Sequence, residues 1–295
     1  MTIEKLKNEY PFEPQSFNID GITMSYLDEG PRDGETIVML HGNPTWSFYY
    51  RNLVKALSGK YRVIVPDHIG CGLSSKPQEY NYRLATHVSN LTKLLESLNV
   101  DSITLVMHDW GGAIGMGYGV DHPTKIKRLV IFNTAAFLSD RIPLSINFCR
   151  IPVIGEIAVR LFNAFLGAGV YLGFGSDKTD RIKNEVREGY IYPYPNSQNR
   201  IAIARFVQDI PMSPKHPTYQ LIKSIGEKLS QFKETPTEII WGMKDFCFDE
   251  TFLKKWIEHL PNANVHRFED AGHWVVEDSH EKIIPILNSF MESKD

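Results

Sequence analysis

Val106-Met107-His108-Asp109-Trp110-Gly111-Gly112 closes a β-branched, apolar run at 103–107 and opens a small-residue segment at 111–121. The order is strand, sharp turn, helix. In a nucleophile elbow the middle residue is thrown out at the top of such a turn, and neighbours without bulky side chains let the helix pack close to the strand. Asp109 holds that middle position. The usual form of the motif is Gly-x-Ser-x-Gly; here Asp stands for Ser and Met107 for the first Gly, while Gly111 and Gly112 supply the small residues. A plainer reading makes Asp109 the N-cap of the next helix, a role Asp fills well.

A carboxylate changes the chemistry expected of the turn. With a reference pKa of ~3.9 it is ionised at neutral pH and needs no base for its first step. It is a weak nucleophile toward carbonyls, so its natural target is a saturated carbon bearing a leaving group. Attack there gives an ester with the enzyme, which an activated water cleaves or which collapses another way.

Working outward, the segments on either side alternate. Residues 16–20 and 22–28 read as a hairpin around Asp20-Gly21. The runs at 37–40, 63–65, 103–107 and 129–132 read as buried strands, and 46–57, 82–98 and 111–121 as helices between them. Strands alternating with helices imply a mostly parallel sheet with right-handed crossovers and a ligand at the strands' carboxyl ends. After Asn133-Thr134-Ala135-Ala136 the rhythm stops. Residues 137–229 offer helical pieces broken by Pro143, Pro152, Pro193, Pro195, Pro211, Pro214 and Pro217, and no good strand. The rhythm resumes with strands at 237–241 and 264–268 and helices at 250–260 and 281–291. The expected organisation is therefore an eight-stranded core made of 1–136 and 230–295, with a helical cap at 137–229 inserted after the sixth strand. Ile146, Phe148, Ile151, Val153, Ile154, Ile157, Leu161, Phe162, Phe165 and Leu166 make that cap more apolar than surface helices need.

Bulk properties narrow the function. The chain has 295 residues, 42% of them apolar, enough for a large core. A net charge of -3 gives no reason to expect nucleic acid. Cys71, Cys149 and Cys247 lie far apart in no metal-like or paired spacing, so a reduced, cytoplasmic setting is expected, with no metal and no cofactor. The first ten residues hold four charges and no apolar core for a secretory signal. The longest uncharged stretch of the middle region, 161–176, is 16 residues, short for a membrane span. A lipid-facing surface stays open, as does a complex with other enzymes.

An acid after the penultimate strand and a His after the last complete the pattern. His273 is the candidate general base, able to direct a water at the ester of Asp109. Asp245 would hold its tautomer, with Asp249 and Glu269 as nearby rivals. His41-Gly42-Asn43-Pro44 ends the strand expected beside that of Asp109. Its backbone N–H groups and that of Trp110 suit an oxyanion hole. The side chains of Asn43 and Trp110 add N–H donors without counter-charge, suited to a departing anion in an apolar pocket.

At this point the sequence resembles the haloalkane dehalogenase family of α/β-hydrolases. The likeness runs through His41-Gly42-Asn43-Pro44-Thr45, Pro66-Asp67-His68-Ile69-Gly70, His108-Asp109-Trp110-Gly111-Gly112, Gly242-Met243-Lys244-Asp245 and Ala271-Gly272-His273. It implies the α/β-hydrolase fold, with Asp109 as nucleophile, His273 as base, Asp245 as acid, and Asn43 with Trp110 as leaving-group donors. Segments 137–168 and 205–211 resemble the branch containing the β-lactone decarboxylases of bacterial olefin biosynthesis. That likeness implies a cis-disubstituted β-lactone with long alkyl chains, converted to a cis-alkene and carbon dioxide. A hydrolytic haloalkane dehalogenase is the main alternative. An epoxide hydrolase would need cap tyrosines, for which Tyr171, Tyr190, Tyr192 and Tyr194 are available, and Asn43 argues against it. A non-catalytic receptor or scaffold of the same fold would not need this set of residues intact.

Overall fold

The structure is a computed structural model that describes residues 3–172 and 183–293. A helix α1 (Ile3–Glu9) precedes a hairpin of β1 (Gln15–Ile19) and β2 (Ile22–Glu29), turned at Asp20-Gly21 with both residues at positive φ. Strand and helix then alternate through β3 (Thr36–Leu40), α2 (Arg51–Leu57), β4 (Arg62–Pro66), α3 (Leu84–Ser97), β5 (Ile103–Asp109), α4 (Trp110–Asp121) and β6 (Ile126–Thr134). Six helices follow: α5 (Leu144–Cys149), α6 (Ile154–Arg160), α7 (Ala164–Leu172), α8 (Asn184–Ile191), α9 (Ile201–Gln208) and α10 (Tyr219–Lys228). The chain returns to the sheet with β7 (Thr237–Gly242), α11 (Glu250–His259), β8 (Asn264–Phe268) and α12 (Val275–Glu292).

The eight strands form one sheet in the order β1-β2-β4-β3-β5-β6-β7-β8. β2 runs antiparallel to β1 and β4, and every later pairing is parallel. This is the expected mostly parallel sheet of the α/β-hydrolase fold. All residues of β3, β5 and β7 are buried, as expected of strands covered on both faces. Successive side chains go to opposite faces. Met39, Val65, Val106 and Ile240 pack on one side with Leu53 and Ile283, while Leu40, Ile64, Met107 and Ile239 pack on the other with Leu91, Ile114 and Trp256. Two apolar layers thus clamp β5 in the middle of the sheet, with its carboxyl end pointing at the inserted helices.

Three local features differ from the sequence reading. Helix α1 was not foreseen, because seven residues carry too little periodicity to register. The helix expected at 46–57 starts as a 3-10 turn over Ser47–Tyr50, whose four residues are all buried. The last helix begins at Val275 and is broken at Ser279, where φ is -145° and ψ 22°, so its apolar spacing becomes regular only past that break.

Candidate active site

Asp109 is the last residue of β5 and caps α4 with φ 51° and ψ -124°, a positive-φ geometry that costs a non-Gly residue free energy. The turn closes because of what surrounds it. A Cβ on Gly111 would collide with the carbonyl oxygen of Leu40 on β3, and a Cβ on Gly42 would collide with the Asp109 carboxylate itself. The Thr134 hydroxyl, at the end of β6, donates to the Asp109 carbonyl. The elbow is therefore wedged between its two neighbouring strands.

The two carboxylate oxygens have different surroundings. Oδ1 accepts the Asn43 backbone N–H at 2.6 Å, and the Trp110 backbone N–H also donates to the carboxylate. Oδ2 faces His273 Nε2 at 3.7 Å. On the far side of the ring, His273 Nδ1 donates to Asp245 Oδ2 at 2.8 Å. Asp245 Oδ1 accepts the backbone N–H groups of Cys247 at 2.6 Å and Phe248 at 3.0 Å. The His273 carbonyl is bonded to His108 Nε2 at 2.8 Å, and the His108 ring stacks on Tyr49. Of the three acids considered, only Asp245 meets the imidazole. Asp249 caps α11 by accepting the Thr251 N–H and pairs with Arg141, and Glu269 is exposed.

Burial raises the Asp109 carboxyl above the usual range, opposed by His273 and by the two backbone N–H groups. Burial works against a charge on His273, but the Asp245 carboxylate and its hydrogen bond, helped by Asp109, outweigh it and leave that imidazole raised above 6.5. The site is thus built to hold a carboxylate and an imidazolium side by side, with the cation stabilised from behind.

Asn43 is buried; its Nδ2 donates to the Ile203 carbonyl of α9 at 3.2 Å, and its Oδ1 has no partner. One amide hydrogen is engaged by α9 and the second is left for the cavity. The Trp110 indole tilts against Phe206 with ring centroids 5.2 Å apart, and its N–H has no hydrogen-bond partner among the described residues. Two apolar cavities of about 130 Å³ each meet at Asn43, Asp109, Ile146, Phe165 and Cys247. One runs between Trp110, Phe137, Ile142, Val207 and Phe248, and the other between Pro44, Cys149, Phe246, His273 and Trp274.

The structure brings together all five residues singled out in the sequence: Asp109, His273, Asp245, Asn43 and Trp110. It does not bring the described tyrosines to them. Tyr190 donates to Glu277 at 2.6 Å, Tyr194 accepts the Gly72 N–H at 3.0 Å, and Tyr192 lies on a groove beside Lys76, while the side chain of Tyr171 lies outside the described residues. Sequence reasoning missed Cys247, which lines both cavities, although its place two residues after Asp245 was a signal. It also missed Asn133, whose amide bonds both the N–H and the carbonyl of Gly242 at 2.8 and 2.9 Å and so ties β6 to the strand leading to Asp245.

Comparison with known proteins agrees with this architecture. The family model described as alpha/beta hydrolase fold matches residues 35–147 and 177–279. A cis-3-alkyl-4-alkyloxetan-2-one decarboxylase of Shewanella oneidensis is 48% identical, the match covering 95% of this chain and 89% of the relative. One of the same name from Xanthomonas campestris pv. campestris is 45% identical over 96% and 97%. A haloalkane dehalogenase of Mycobacterium marinum is 32% identical over 92% and 91%. Among solved structures, haloalkane dehalogenase DbeA from Bradyrhizobium elkani superposes with a TM-score of 0.85 at 22% identity, covering 95% of this chain and 98% of the other. The fold and the site define an enzyme of the α/β-hydrolase class. Within that class the chain belongs to the haloalkane dehalogenase family, on the side of it that holds the β-lactone decarboxylases.

Proposed function

We propose that this enzyme decarboxylates cis-β-lactones bearing two long alkyl chains, giving cis-alkenes and carbon dioxide, with Asp109 as nucleophile. The observation that carries the proposal is the pair of apolar cavities diverging from one carboxylate. A ring with alkyl groups on adjacent carbons needs two such spaces at the reacting centre, and a linear haloalkane needs one. The names of the relatives at 45–48% identity, which specify two alkyl substituents on an oxetan-2-one, support the same substrate.

The residues fit a route whose atoms balance without water. Asp109 Oδ2 attacks the ring carbon bonded to the ring oxygen, inverting it, and the C–O bond breaks to leave a free carboxylate. The second Asn43 amide hydrogen and the Trp110 indole N–H receive that anion in surroundings of low polarity, where such bonds are strongest. The carboxylate then leaves as carbon dioxide; its C–C electron pair becomes the double bond and the C–O bond to Asp109 breaks. One inversion followed by anti departure is a net syn loss, which carries cis substituents into a cis-alkene. Residues 137–229 act in this reading as the cap that shapes both cavities over the 1–136 and 230–295 core. The free thiols of Cys71 and Cys149, both buried, fit a cytoplasmic enzyme.

A second reading, hydrolysis of haloalkanes, is favoured by the 3.7 Å gap between His273 Nε2 and Asp109 Oδ2 and by the Asp245 bond behind the ring. A neutral His273 can take a proton from water there while the Asn43 and Trp110 backbone N–H groups hold the oxyanion formed on Oδ1.

The test is a paired assay: a long-chain cis-β-lactone followed for alkene and carbon dioxide, and a panel of bromo- and iodoalkanes followed for halide. Fast alkene formation with weak halide release is expected, and the reverse makes the chain a dehalogenase. Asp109→Ala should lose both by at least about a thousand-fold, and activity surviving in a folded variant would remove Asp109 from the nucleophile's place.

A further inference from the structure

Among the described residues, eight of the ten exposed large apolar side chains fall within 144–162, on α5, α6 and the turns that join them to each other and to α7. Leu144 is 87% exposed and Phe162 77%, and Ile154, Ile157 and Leu161 form one outward stripe along α6 at helical spacing. Single exposed apolar residues are ordinary, but a contiguous ridge of them marks a surface that meets something apolar. The inner face of α5 is already used: its Ile146, with Phe165 of the neighbouring α7, lines both cavities at Asp109.

Charge separates the inserted segment from the rest of the chain. Residues 137–229 hold 12 Lys and Arg against 8 Asp and Glu, a net +4 within a chain of net -3, which leaves -7 on the remainder. Close to the ridge the excess is local. Glu156, the only acid in α5–α7, is shared by Arg160 and Arg205, and among the described residues Arg150 bonds Asn147 Oδ1 and the Ile210 carbonyl and no carboxylate. An apolar ridge with an uncompensated positive border matches the boundary of an anionic bilayer, where alkyl side chains enter and Arg stays among the headgroups. A second copy of this chain would bring the same positive border against itself.

We infer that the α5–α6 ridge docks the enzyme on an anionic lipid surface, so that long-chain substrate reaches Asp109 past α5 and α7 from the bilayer and not from water. The choice of a bilayer rests in part on the long-chain substrate proposed above; the ridge and its charge do not.

The experiment is co-sedimentation of the full chain with vesicles of phosphatidylglycerol and phosphatidylethanolamine, and with vesicles of phosphatidylcholine alone. The wild-type chain should pellet with the first and markedly less with the second. Combined Leu144→Ser, Phe148→Ser and Phe162→Ser, three exposed positions that line neither cavity, should reduce pelleting by at least about ten-fold. The variant should keep the wild-type thermal melt, keep turnover of a short-chain lactone in solution, and lose turnover of a long-chain lactone carried in the vesicles. Wild-type protein left in the supernatant overturns the inference. Sedimentation velocity then assigns the ridge, to self-association if a dimer is lost in the variant, or to a different protein if the chain is monomeric throughout. Vesicle binding without turnover of any lactone would leave the docking surface standing and remove the substrate reading instead.

Discussion

Asp109 presents two oxygens that are chemically alike and structurally unlike, one tied down by the Asn43 backbone N–H and one facing His273. In the proposed mechanism the tie selects which oxygen attacks and keeps the other where backbone donors already wait for negative charge. The Asp245 carboxylate raises His273 above its ordinary 6.5, and burial raises Asp109 from 3.8. Hydrolysis of the alkyl ester needs the neutral ring, so steady-state haloalkane turnover should fall as pH drops through the raised His273 value. Alkene formation needs only the Asp109 charge and should persist to lower pH, failing as pH drops through the Asp109 value. Rate profiles for the two reactions should therefore show acid limbs displaced from each other, the hydrolytic one at higher pH. Superimposed limbs would mean that both reactions draw on the same ionisation, and the water-free route would have to be abandoned.

At the scale of elements, the site depends on how β6 and β7 meet. Asn133 closes β6 onto Gly242 with a reciprocal pair of hydrogen bonds, and the loop that follows Gly242 delivers Asp245. Asn133→Ala should lose both bonds and leave the buried Gly242 N–H unmatched, the Gly242 carbonyl keeping the Asp245 N–H at 3.3 Å, a destabilisation of about 1–3 kcal/mol. Urea unfolding measures that cost. Because the displaced loop carries the acid and not the nucleophile, haloalkane turnover should slow more at ester hydrolysis than at halide release, and an equal loss in both steps would argue against this route of influence. Such couplings were not legible in the sequence. The strands were, since runs such as 37–40 and 103–107 have no other place to go than a sheet covered on both sides. Asp109, His273 and Asp245 were legible because each sits at the carboxyl end of a strand or in the loop that follows one. Asn133 was hidden because its partner is the backbone of the neighbouring strand and not another side chain, and Cys247, though only two residues past Asp245, because a lone thiol carries no chemical pattern. The choice of Asp245 over Asp249 came from family likeness; the structure gives it a physical basis, since Asp249 is committed to capping α11.

The whole molecule stores its acid sensitivity in histidines that take no part in the site's chemistry. His41, His87 and His108 are held well below 6.5 by burial, and His68 is pushed down to about 4. A group whose folded value is depressed binds its proton more readily in the unfolded chain, so stability is full above about 6.5 and is lost as pH falls toward the folded value. Each such histidine contributes a slope of up to about 1.4 kcal/mol per pH unit. Asp67, raised to about 6, and Asp109, raised by burial, act in the opposite sense. The four depressed histidines outnumber these two carboxyls, so the urea midpoint should fall between about pH 6.5 and about pH 5. A flat midpoint over that interval would show that the buried rings find partners on protonation. One further consequence lies in how the sheet closes across the inserted helices. The chain leaves at Thr134 and returns at Thr237, yet Leu129 and Thr237 are paired neighbours, so both ends of the excursion are fixed by the same ladder. An excursion anchored in this way can change in length at an entropic cost of only about 0.6 kcal/mol for each doubling. The reaction centre could thus be inherited unaltered while the range of molecules it received was rewritten.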